Sequence, residues 1–278
     1  MDKKYLFCNG DSWVVGHMLD TEWMRNKHLS NQNITYVQFK KQIGEQDEWT
    51  WLAENTDYQH EAHLEQVKGK FTGVVSDKLG LEEINMALPG KSNESIVRTT
   101  IEWMLDNKDI LDETFFLIGL TASRRAESVN VDKDMYIHDW NPNKDSEVNT
   151  LYTILTLQNY FKVNNVDYMF VDLFCDVFLP MNYNTRDSSD SHYQKFSTTL
   201  SLYDSLLEEL DKDYFFSTKS LVDIIEESDV KGHKYCELQH DGTIGELKSD
   251  DDFVGHPSLA SSKIIGDLIY EKIFTNSR

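Results

Sequence analysis

A chain of 278 residues with 40% hydrophobic residues is long enough to bury the core of one large α/β domain or two small ones. Its formal net charge of −21 sets it against nucleic acid and anionic membranes, whose phosphates would repel it, and fits a well-solvated acidic surface. Cys8, Cys175 and Cys236 are too scattered for a disulfide framework, no apolar run is long enough for a membrane span, and no secretory leader is visible, so a soluble, cytoplasmic protein with reduced thiols is expected.

In chain order, the apolar run Lys4–Cys8 predicts a buried strand that stops at Gly10-Asp11-Ser12, and Trp13–Leu19 predicts the start of a helix. A serine at that junction would sit among unpaired backbone N–H groups at the positive end of a helix, an environment that stabilises a negative oxygen. The same three residues also suit a plain polar turn with an N-cap. Glu83–Ala87 predicts a second strand, followed by the turn Leu88-Pro89-Gly90-Lys91 and a helix over Ser92–Leu105. Val97, Ile101 and Met104 share one face of that helix, and Ser92 or Asn93 caps it. Gly90 would let the backbone approach a ligand closely. Gly90-Lys91-Ser92 is not a phosphate loop, because Asn85 stands where that loop needs its first glycine.

Thr114–Leu120 predicts a third strand, Tyr168–Phe174 a fourth and Tyr214–Ser217 a fifth, with helices over Val148–Val163, Thr198–Leu210 and Ser258–Phe274. In the last helix Ile265, Leu268, Ile269 and Ile273 fall together, with Pro257 near the start. Near-continuous apolar strands suit a sheet covered on both faces, and the alternation points to a three-layer α/β/α sandwich with a mainly parallel five-stranded sheet. One domain over residues 1–278 is expected, with long loop insertions at Asp20–Gln46, Glu127–Glu147, Pro180–Lys195 and Val230–Gly255. His256, between a loop and the last helix, is placed either as a base or as an ordinary exposed histidine. Asp250, Asp251 and Asp252 before it either orient its ring or form a solvated turn. His60 and His63 lack zinc-site spacing, and the acidic turns do not match a calcium loop, so neither a metal nor an organic cofactor is expected.

Gly10-Asp11-Ser12, the stretch Asn85-x-Ala87-x-x-Gly90-x-Ser92-Asn93 and His256-Pro257, in this order, resemble the GDSL/SGNH hydrolases, as does Trp49-Thr50-Trp51-Leu52-Ala53 after the first motif. The resemblance implies a flavodoxin-like sandwich and a serine esterase acting on acyl esters, often acetyl groups on carbohydrates or lipids. It assigns Ser12 as nucleophile and oxyanion donor, Gly90 as a second oxyanion donor and His256 as base. Two departures stand out. Thr121 occupies the place of the family's third-motif asparagine, leaving Thr121 or Asn93 to complete the oxyanion hole. Phe253 occupies the place of the triad acid, so Asp252 would have to reach the ring across a one-residue bulge, and a dyad is the alternative. Trp13 and Arg124 are candidate substrate contacts, Trp140 and Tyr183 candidate pocket walls. The expected function is hydrolysis of a short acyl ester of a carbohydrate or other small substrate through an acyl-enzyme, with transfer to a sugar hydroxyl as a variant. The alternative is a binding or structural module, such as a viral accessory protein, that keeps the sandwich without the catalysis.

Overall fold

The computed structural model describes residues 2–16, 19–44, 46, 48–123, 125–130, 135–140, 146–173, 177–178, 202–229 and 256–276. In chain order its elements begin with β1 (Tyr5–Asn9), α1 (Ser12–Val15), α2 (Leu19–Gln32), α3 (Tyr36–Ile43), α4 (Glu48–Asn55), α5 (Gln59–Gly69), α6 (Phe71–Leu79) and β2 (Glu82–Asn85). There follow α7 (Asn93–Asp106), β3 (Thr114–Leu120), β4 (Arg125–Asn130), β5 (Met135–Trp140), α8 (Ser146–Asn164), β6 (Asp167–Asp172), a helix α9 over 202–208, α10 (Leu221–Glu227) and α11 (Leu259–Asn276). The chain packs as two units, Met1–Asp11 with Ile84–Asp223 and Ser12–Glu83 with Ile224–Arg278.

The first unit is built on an α/β sheet of four strands in the order β2-β1-β3-β6. β1 and β6 both run parallel to β3, with Phe7 opposite Phe116 and Phe116 opposite Tyr168. Alternate residues Phe7, Phe116, Ile118, Tyr168 and Phe170 face a core shared with Ile96, Val97 and Met104 of α7 and Leu151, Ile154, Leu157 and Phe161 of α8. Their neighbours Leu6, Cys8, Leu117, Met169 and Val171 point the other way and are buried too, which is why these strands read as unbroken apolar runs. Phe116 touches both Phe7 and Phe161 at ring-centroid distances of 5.1 Å. Truncating it to alanine would cost about 3–5 kcal/mol in lost burial and cavity. Cys8 is buried and forms no disulfide among the described residues.

Three sequence expectations change here. The fifth strand at Tyr214–Ser217 shrinks to one parallel bridge, Phe215 to Phe170, because a 3-10 turn over Lys212–Tyr214 takes up the chain just before it. Glu127–Glu147 holds most of an antiparallel hairpin, β4 with β5, rather than a loop. Asp20–Gln46 contains α2 and α3. The insertions at Pro180–Lys195 and Val230–Gly255 lie outside the described residues.

In the second unit α2, α3, α4 and α5 enclose Met24, Phe39, Ile43, Leu52 and Ala62. Phe39 packs edge-on against Trp51 at 5.4 Å. A polar arc borders this core. Glu48 lies 3.6 Å from the Arg25 guanidinium and accepts a hydrogen bond from the Tyr36 hydroxyl at 3.3 Å. Burial, reinforced by the Glu48 charge, pushes the Tyr36 hydroxyl up to about 12. α11 lies against α6 at Gly266, where a Cβ would come within 2.6 Å of the Val74 Cβ and 2.9 Å of the Phe71 carbonyl oxygen. Glycine is therefore what allows that approach. Ile265, Ile269 and Ile273 are buried as the periodicity predicts, whereas Leu268 is 42% exposed at the margin of the stripe. Among the described residues no helix is long and apolar enough to cross a membrane.

Candidate active site

The first unit's strand order puts β2 and β3 on opposite sides of β1. Ligands of open α/β sheets bind beyond the carboxyl ends of the strands at such a reversal. Asn9 and Asp11 stand at that end of β1, and Thr121 stands at that end of β3. Asp11 and Thr121 are both fully buried. The Thr121 hydroxyl donates to Asp11 Oδ2 at 2.7 Å, and Arg125 Nη1 donates to the same oxygen at 2.8 Å. The residue before Ser12 is thus held by the hydroxyl that follows β3 and the guanidinium that opens β4.

Thr121 is held in turn by α7. Asn93 Oδ1 accepts from the Thr121 N–H and Asn93 Nδ2 donates to the Thr121 carbonyl, both at 2.9 Å. Ser92, not Asn93, caps α7, its side chain accepting from the Ser95 N–H at 3.3 Å. Both sequence candidates for the third oxyanion donor are therefore engaged in internal bonds. A hydroxyl carries one proton, and that of Thr121 goes to Asp11.

Asn9 is the second anchor of this edge. Its Nδ2 donates to the Ile96 carbonyl at 3.0 Å and to the Thr99 and Thr100 hydroxyls at 2.9 Å, while its Oδ1 accepts from the Gly10 N–H at 2.9 Å. Leu88-Pro89-Gly90-Lys91 forms a turn closed by Lys91 N–H to the Leu88 carbonyl at 3.3 Å. Proline second and glycine third, with φ +82° at Gly90, are the signature of a type II turn. A Cβ on Gly90 would meet nothing within 4 Å, so backbone conformation and not crowding demands glycine there. Among the described residues the Gly90 N–H has no hydrogen-bond acceptor, which leaves it available to an oxyanion.

Ser12 and His256 belong to the second unit. Ser12 opens α1, a single turn of four residues, too short to build the macrodipole that the sequence suggested. What remains at that position is its own N–H, which has no acceptor among the described residues. Ser12 is 6% exposed, and among the described residues its hydroxyl has no hydrogen-bond partner, so it is not bonded to His256. Gln66 Nε2 donates to the Gly16 carbonyl at 2.9 Å and fixes the exit of this turn. His256 is buried two residues before the cap of α11. Ser258 caps that helix, accepting from the Ser261 N–H at 3.2 Å, and Glu22 Oε2 of α2 accepts from the Leu259 N–H at 2.9 Å. Two oxygens thus satisfy helix-start donors and fix the chain beside His256.

Trp13, the candidate substrate contact, is 2% exposed, and its indole packs inside the protein. Asp252, its neighbour Asp251, Arg124 and Tyr183 lie outside the described residues. Asp11, Arg125, Asn9, Lys91 and Glu22 were not singled out for these roles by sequence reasoning. The available signal was a polar residue at the end of each of two buried strands, Asn9 closing β1 and Thr121 just after β3.

No family model and no curated protein sequence matches this chain. Among solved structures it is similar to the psychrotrophic esterase EstA from Pseudoalteromonas sp., at 13% identity over 99% of each chain with a TM-score of 0.42. It is also similar to TesA, at 10% identity over 97% of this chain and 98% of that one with a TM-score of 0.40. A carbohydrate esterase matches at 11% identity over 99% of this chain and 69% of the other, with a TM-score of 0.39.

Proposed function

We propose that this chain is a serine hydrolase of the SGNH type, acting on a short acyl ester of a carbohydrate or other small substrate. The observation that carries the reading is the locked carboxyl edge of the sheet. Asp11, next to Ser12 in the chain, is fixed by Thr121 and Arg125, while the Gly90 N–H in a neighbouring turn is open. The order of the three motifs along the sequence supports the same reading.

His256 takes the Ser12 proton as Oγ attacks the ester carbonyl, and the Ser12 and Gly90 N–H groups receive the resulting oxyanion. Collapse expels the alcohol, which takes its proton from His256, and leaves an acyl-enzyme. A water deprotonated by His256 then attacks, and the acid departs as the Ser12 hydroxyl is restored. Catalytic hydrogen bonds commonly tighten only with substrate bound, so an unpaired Ser12 hydroxyl is compatible with this scheme. Thr121 acts here as a support rather than a donor, and Asn93 steadies Thr121 with one of its two amide hydrogens. Asp252 is assigned to orient His256, and both units belong to one catalytic domain.

The test is turnover of short p-nitrophenyl esters. Ser12→Ala is expected to abolish it in a protein that keeps its near-UV circular dichroism. Asp252→Asn is expected to lower kcat by about 100-fold or more if that carboxylate fixes the imidazole tautomer. Turnover persisting in Ser12→Ala would refute the assignment. An inert, well-folded parent protein would favour the binding-module reading, which the engagement of Thr121 and Asn93 in internal bonds also fits.

A further inference from the structure

Lys91 follows Gly90 in the chain and is 2% exposed. Its ammonium donates to the Met86 carbonyl at 2.6 Å, to Asn9 Oδ1 at 3.0 Å and to the Thr99 hydroxyl at 3.2 Å. An ammonium has three donors, and these three acceptors match them. They come from three different places: the end of β1, the stretch after β2 and the body of α7. Burying a lysine is costly unless its charge is well hydrogen-bonded, so the position is demanding, and a side chain of similar length without donors would leave these oxygens facing a methyl group.

The bonds converge on the two backbone stretches of interest. Asn9 Oδ1 accepts from both Lys91 Nζ and the Gly10 N–H, so one oxygen ties the ammonium to the peptide that leads into Asp11 and Ser12. Met86 is held at both ends, its N–H on the Cys8 carbonyl at 2.8 Å and its carbonyl on Lys91. Leu88 N–H meets the Gly10 carbonyl at 3.3 Å. The turn carrying Gly90 is therefore fastened to the end of β1 through Met86, Leu88 and the Lys91 ammonium.

We infer that Lys91, acting through Asn9 and Met86, is the positioning residue that holds the Gly90 N–H in its oxyanion-binding orientation. The inference rests on the hydrolase reading. It also explains why Gly90-Lys91-Ser92 is no phosphate site, since the ammonium is turned inward and engaged with the protein's own oxygens. Lys91 touches no substrate atom in this scheme. Misplacing a catalytic group by an ångström costs about 100-fold in rate, which sets the size of the expected effect.

The experiment compares the parent protein with Lys91→Met and with Thr99→Val, a milder change that removes one of the three acceptors together with the bond from Asn9 Nδ2 to the same hydroxyl. Each is assayed for kcat and KM on p-nitrophenyl acetate, for the rate of labelling by a fluorophosphonate and for near-UV circular dichroism. A folded Lys91→Met should lose about 10- to 100-fold in kcat with KM within about twofold, and its labelling rate should fall in parallel. Thr99→Val should lose about threefold or more in kcat, again with KM unchanged, and it answers the question if Lys91→Met does not fold. An active parent whose folded Lys91→Met or Thr99→Val keeps the parental kcat overturns the inference and leaves the hydrolase reading intact. An inert parent overturns both.

Discussion

Asp11 offers the sharpest energetic test of the site's construction. Thr121→Val removes the hydroxyl that donates to Asp11 Oδ2 at 2.7 Å and puts a methyl of similar volume in its place, in a position with no exposure. A hydrogen bond to a charged group contributes about 1.5–3 kcal/mol, so a loss of about 2 kcal/mol is expected. For a domain of this size that lowers the melting temperature by roughly 4–8 °C. Arg125→Met removes the second donor to the same oxygen, from a guanidinium side chain 18% exposed, and should cost a similar amount. Because both donors serve one oxygen, the double variant should be worse than the sum by about 0.5 kcal/mol or more. Thermal unfolding followed by tryptophan fluorescence gives all three values, and kcat measured alongside should fall with Thr121→Val. Single losses below about 0.5 kcal/mol that simply add would refute the shared-carboxylate reasoning.

Other outcomes follow from the same geometry. Gly90→Ala places a side chain at φ +82° with open space around its Cβ, so it should cost about 1–2 kcal/mol of backbone strain and cut kcat more than it raises KM. Ser258→Ala removes the cap that accepts from the Ser261 N–H and should lower stability by about 1 kcal/mol, read from urea midpoints. His28 is buried between Phe39 and Trp51, and burial holds its imidazole below the ordinary 6.5, against an opposing hydrogen bond with Gln42. The unfolded chain therefore binds that proton more readily, and stability should fall as pH drops below about 6.5. A His28→Leu variant should flatten this slope between pH 7 and 5, and an unchanged slope would remove His28 from the account.

Much of the sheet was legible because its strands are buried on both faces. β3 appears at the predicted Thr114–Leu120, and β1 and α7 lie within a residue or so of their predicted ends. α2 was hidden by the opposite circumstance. Its inward residues include Glu22, Arg25 and His28, each no more than 7% exposed, so a helical stripe of polar residues passed for a loop. The hairpin was missed because a two-stranded ribbon such as β4–β5 need not carry the continuous apolar run used to find strands. At the candidate site, the turn that needs glycine at position 90 was legible in the sequence. The role of Thr121 was not, because its hydroxyl is claimed by Asp11, 110 positions away in the chain, and no local pattern announces that competition.

The most direct measurement is the site of covalent capture by a fluorophosphonate, mapped by peptide mass spectrometry on the folded protein. The account predicts a single phosphonylated residue, Ser12, with labelling abolished in Ser12→Ala and slowed in His256→Ala. Capture at another residue, or none by a folded parent protein, would contradict it.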